Sequence, residues 1–177
     1  MGVPNIREFN RALLANWAKR YFDSKDSEWK KNISYKYDID KPNILWSKNG
    51  VGSTFWKSAT WAFAAAKTFY KWKLGNGENV SFWHDIWVGD YSLKTRFWDL
   101  FCICNQSECS VAQVWDGVTL KLTFRRCFGE TGLSSWNHLV DLVKTSQLRD
   151  EPDSPIWNLE SNWVFSIKSF YKQINFG

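Results

Sequence analysis

At 177 residues the chain is the size of one domain or two small ones, and its 44% hydrophobic content is too high for wholesale disorder. No run approaches the roughly 18 apolar residues of a membrane helix, and no secretory signal peptide opens the chain. The net charge of +5 favours acidic partners, nucleic acid among them, without demanding one. Thirteen tryptophans run its whole length and predict a distributed Trp-rich core, not one local cage. Any that the core cannot take would form an exposed patch for a partner.

Residues 5–22, NIREFNRALLANWAKRYF, read as an amphipathic helix. Ile6, Phe9, Leu13, Trp17 and Tyr21 recur at helical spacing, widened by Leu14, Ala18 and Phe22. Arg7, Arg11, Lys19 and Arg20 lie mostly off that stripe. A second helix is predicted over 26–36, around Trp29 and Ile33, and a loop over 38–52. Ser53 is placed to cap a helix over 54–71 that runs through Phe55, Trp56, Ala59, Phe63, Ala66 and Tyr70.

The period then changes. KWKL, GNGEN and VSFWHDIW (71–87) read as strand, turn, strand, with Gly75-Asn76-Gly77 supplying residues that accept positive φ. In the second strand Val80, Phe82, His84 and Ile86 share one face, and Ser81, Trp83, Asp85 and Trp87 the other. His84 and Asp85 would then point apart, which argues against an acid–base pair. Further on, 95–103 suggests a short helix or an irregular segment, VTLKLTF (118–124) a strand, and SSWNHLVDLVK (134–144) a helix with Trp136, Leu139, Val140 and Val143 inward. IWNL and NWVFS suggest a closing hairpin, and SIKSFYKQI a last helix capped by Ser166.

Cys102, Cys104, Cys109 and Cys127 are weak zinc candidates, because only one tight CxC pair occurs and structural sites favour C-x2-4-C. Four reduced thiols in an intracellular chain is the simpler reading. Phe124-Arg125-Arg126 and the basic residues of the first helix, Arg7, Arg11, Lys19 and Arg20, could contact phosphates. His138, on a helix, reads as a surface histidine.

The segments GVPNIREFNRALLANWAKRYF (2–22), EWKKNISYKY (28–37), FWKS (55–58), LGNGENVSFWHDIW (74–87), LTFRRCF (122–128), IWNL (156–159) and VFSIKSFY (164–171) resemble one family in this order. It is the region downstream of the reverse transcriptase domain in plant LINE-type (non-LTR) retrotransposon polyproteins. The resemblance covers essentially the whole chain. The polymerase's YxDD motif does not occur, and the zinc-knuckle-like segment that follows VFSIKSFY-type sequence in the family is missing. The resemblance therefore implies a connector between two functional modules. It also implies that Gly75, Asn76, Gly77, Phe82, Trp83, Asp85 and Trp87 are a structural motif, with the position of His84 variable. Trp163 stands where the family usually has a small residue, often glycine.

These readings predict one α+β unit, predominantly helical with short antiparallel hairpins, and a seam near residue 72 that separates helical 1–72 from 73–177. The expected function is a non-catalytic, retrotransposon-derived protein that acts through an unidentified protein partner as a regulator, an inhibitor, or a toxic or protective factor. The alternative is an RNA- or DNA-binding module, and an enzyme comes last. No cofactor or metal is expected. The expected place is the cytoplasm or nucleus, with the basic amphipathic N-terminus also fitting a mitochondrial address.

Overall fold

A computed structural model describes residues 5–23, 28, 31–32, 35 and 53–176. The fold is α+β, with seven helices and two short strands among the described residues. None of these helices is long and apolar enough to cross a membrane. The helix expected over 26–36 around Trp29 and Ile33, and the loop over 38–52, fall largely or wholly outside the described residues.

The chain forms two compact units. Unit 1 comprises Met1–Tyr70 and Ile156–Gly177; unit 2 is Lys71–Pro155. The sequence grouped 156–177 with the second half, whereas these residues join the first. The chain leaves unit 1 along β1 (Tyr70–Lys73) and returns along β2 (Ser154–Trp157). The two strands pair as an antiparallel two-stranded sheet.

Among the described residues, unit 1 contains the helices α1 (Ile6–Asp23), α2 (Thr54–Lys67) and α7 (Ile167–Phe176). Ser53 caps α2 as expected, its hydroxyl accepting from Trp56 N–H. The helix stops at Lys67, earlier than the sequence suggested, and Tyr70 begins β1. Ser166 caps α7 by accepting from Ser169 N–H at 3.0 Å.

The core is Ala12 and Ala15 of α1, Ala62 and Ala66 of α2, and an aromatic group around Trp157. The alanines let the backbones of the two helices approach closely. Three large residues of the expected α1 stripe are therefore not buried, while Leu14 packs partly buried against this core. Ile6, Phe9 and Leu13 are 78%, 44% and 41% exposed. Trp163 has φ +60, the left-handed conformation a glycine would hold without strain. It ends a tight return in which Trp163 N–H donates to Glu160 O and Trp157 N–H donates to Trp163 O.

Unit 2 holds three short helices, α3 (Leu93–Arg96), α4 (Trp98–Ile103) and α5 (Val111–Val114), and the longer α6 (Glu130–Lys144). α6 begins four residues before the expected start, with Glu130 in its first turn and Lys144 in its last, both favourable to the helix dipole. The strand expected over 118–124 reduces to isolated bridges, Trp115 with Leu120 and Cys104 with Phe124.

The largest departure lies at 80–87. This stretch is not the second strand of a hairpin, since β1 pairs with β2 instead. Local acceptors and donors claim its polar groups and turn the chain. The Asp85 carboxylate accepts from Ser81 N–H at 2.8 Å, and the Trp87 indole donates to Phe82 O at 3.0 Å. The closing hairpin expected from IWNL and NWVFS is replaced by β2 and the return at 158–163.

Candidate functional site

The stretch with the histidine is a structural knot. Asp85 is 2% exposed and its carboxylate is turned onto the Ser81 amide. The His84 imidazole instead lies edge-on to Phe101, with Nε2 3.3 Å from the Glu108 carboxylate and not aligned for a hydrogen bond. The neighbours thus take different partners, although the reason is a turn and not strand alternation. Trp83 is fully buried beside Phe82 and Phe101, and its indole donates to Gln106 O.

The GNGEN loop is held from outside. The Asp153 carboxylate accepts from Gly75 N–H (2.7 Å), Gly77 N–H (3.0 Å) and Asn79 N–H (3.0 Å). Asn76 N–H donates to Glu151 O, and Arg149 N–H to Gly75 O. Only Gly77 of this pair of glycines has positive φ, +74. Gly75 is needed for space, since a Cβ there would lie 2.1 Å from Glu151 O.

Among the described residues no three His, Cys, Asp or Glu side chains converge as a metal would need. Cys104 and Cys109 are buried and Cys102 and Cys127 exposed; all four are free thiols. Burial pushes the Cys104 thiol above its usual range. The Cys109 thiol donates to Gln106 O at 3.1 Å.

The predicted basic residues fall into two groups, one in each unit. In unit 2 the Arg125 guanidinium donates to Cys102 O at 2.7 Å, so it holds a loop, and Arg126 is exposed beside it. In unit 1 Arg20 lies over the Trp17 ring at 5.3 Å, and Lys19 is the residue before it on α1. Arg7 and Arg11 line a groove between α1 and α2.

That groove encloses about 410 Å3 and is the candidate site. Arg7, Asn10, Arg11 and Leu14 come from α1; Thr54, Lys57, Ser58 and Trp61 come from α2. Each set recurs at i, i+3, i+4 and i+7, so each is one stripe of a helix. Three lining residues are cations and none is an acid. Arg11 is already committed: Nη1 is 2.6 Å from Glu8 Oε1, and the guanidinium lies 4.1 Å from the centroid of Trp61. Trp61 keeps 42% of its surface exposed. Around α1 from the groove, past Asn10, runs the solvent-exposed ridge of Ile6, Phe9 and Leu13, with Phe9 edge-on to Tyr171.

The sequence reading found the α1 half of this groove and missed the α2 half. Its signal was the TxxKSxxW spacing at 54–61, hidden in a helix read only for its core face. The chain matches no protein-family model, no curated protein and no solved structure.

Proposed function

We propose that the chain is an intracellular, non-catalytic protein of LINE-type retroelement origin that works by binding other proteins through the α1 face of unit 1. The origin rests on the motif resemblance. The binding mode rests chiefly on one observation: Ile6, Phe9 and Leu13 form an apolar ridge open to solvent beside a cationic groove. Contiguous apolar surface is the mark of a partner face, and an aromatic with arginines is a common anchor composition. Nucleic acid makes less use of such a face. Its phosphates want a track of free cations, and its bases want open aromatic planes. Here Arg11 is paired with Glu8 and covers one face of Trp61, so among the described residues the groove offers two unpaired cations, Arg7 and Lys57, and not an extended track.

Anisotropy titration of single-stranded RNA, hairpin RNA and duplex DNA with the folded protein, at low and physiological salt, tests this reading. The expected result is no saturable binding tighter than about 1 µM at physiological salt, the tight end of non-specific association. Tighter binding that falls steeply with salt, and is lost with Arg125→Ala and Arg126→Ala, would replace it with a nucleic-acid module.

A further inference from the structure

We infer that the groove between α1 and α2 takes an acidic segment of a partner protein, whose carboxylates meet Arg7 and Lys57 while its apolar side chains rest on Leu14 and Trp61. The inference rests on the protein-binding reading and gives that site its ligand chemistry.

Charge is the first argument. The lining carries Arg7, Arg11 and Lys57 and no acid. Glu8 neutralises Arg11, but neither Arg7 nor Lys57 has an ion-pair partner among the described residues. Two uncompensated cations face the same hollow, one from each helix. Separate carboxylates can satisfy them, and arginine accepts a carboxylate in a two-pronged fashion.

Size is the second argument. A stripe from i to i+7 is about 10 Å long at 1.5 Å per residue. That length accommodates about three residues of extended peptide at roughly 3.3 Å each. It suits a short linear segment better than a folded surface. The remaining lining fits a peptide as well. Asn10 offers a donor and an acceptor, as does the Thr54 hydroxyl, while the Ser58 hydroxyl donates to Thr54 O and offers its oxygen as an acceptor. A peptide backbone carries both kinds of group at every residue. Trp61 and Leu14 supply apolar surface, and Arg11 stiffens Trp61 by lying on its ring. A base stacking on the face that Arg11 covers would have to displace Arg11 from both Trp61 and Glu8, whereas a peptide side chain can use the surface that stays exposed.

The test is anisotropy titration with three fluorescein-labelled probes. The first is a dodecapeptide repeating Glu-Leu-Asp-Ser, the second its neutral counterpart repeating Gln-Leu-Asn-Ser, and the third a twelve-nucleotide oligo-dT. The acidic peptide is expected to bind at least about tenfold tighter than the neutral one, and Arg7→Glu with Lys57→Glu to remove that preference, because like charges then face each other. Arg126→Glu, in unit 2, is expected to leave it unchanged. Circular dichroism checks the fold of each variant. Should the reversal unfold the protein, Arg7→Ala with Lys57→Ala carries the same comparison. Equal binding of the two peptides, or binding of neither, overturns the inference. Loss of the preference in Arg126→Glu alone also overturns it, while the protein-binding reading stands. Tighter binding of oligo-dT than of the acidic peptide, lost on reversing Arg7 and Lys57, overturns both.

Discussion

Trp157→Ala is expected to cost unit 1 about 3–5 kcal/mol, the range for removing a fully buried large aromatic. Trp157 is 1% exposed and sits at the centre of the unit's aromatic group. Its ring meets Tyr70, Phe165, Phe170 and Phe69, with centroids 4.7 to 6.1 Å apart. Its indole donates to Ser169 Oγ at 2.8 Å, and Ser169 belongs to the Ser166 cap of α7. The substitution therefore opens a cavity and strips a partner from the start of the last helix. Since small domains are stable by only about 5–15 kcal/mol, a large part of the total is at stake. Urea denaturation followed by circular dichroism measures it. Trp157→Phe keeps most of the volume and is expected to cost clearly less. A loss under about 1 kcal/mol for Trp157→Ala would contradict this placement of the core.

Gly75→Ala is expected to destabilise unit 2 by about 3 kcal/mol or more, the upper end of overpacking costs. The new Cβ would fall 2.1 Å from Glu151 O, 2.7 Å from Pro152 C and 2.8 Å from Pro152 O. All three are backbone atoms, so no side chain can swing aside. The 149–153 segment would have to withdraw, and with it the Asp153 carboxylate that holds three amides of the loop. Gly129→Ala is the control. Its Cβ meets nothing within 4 Å and its φ is an ordinary −79°, so a loss of no more than about 1 kcal/mol, that of a poorer N-cap residue on α6, is expected. Thermal melts of the two variants side by side give the comparison, and similar melting temperatures would contradict the docking of the loop.

Helices were the part of this fold most open to reading from sequence. The periodicity of Trp136, Leu139, Val140 and Val143 marked α6, and Ser53 and Ser166 marked two helix starts. The buried face of α1 was misread because size was taken as a guide to burial. The alanines face inward with Leu14 packed against them, and Ile6, Phe9 and Leu13 are left outside. The stretch 80–87 was misread because alternation of Val80, Phe82, His84 and Ile86 imitates a strand. What bends it is a side-chain carboxylate four residues from its amide, and what anchors the preceding loop is Asp153, 74 to 78 residues away. Sequence periodicity carries no trace of so distant a contact. The groove was half legible for the same reason. Arg7 and Arg11 announced themselves on a basic helix face, but only the packing of α2 beside α1 brings Lys57 and Trp61 to them.

The central claim is that the contact surface lies on unit 1 and that the Trp83–Trp87 stretch is structural. The thirteen indole N–H groups are separate reporters of it. An amide and indole correlation spectrum of protein labelled with 15N-tryptophan should be recorded as the acidic dodecapeptide is added, with Trp61 assigned from Trp61→Phe. The expected result is a progressive shift of the Trp61 indole while those of Trp83 and Trp87 stay in place. Movement of Trp83 or Trp87 with Trp61 unmoved would put the contact surface in unit 2 and contradict the account.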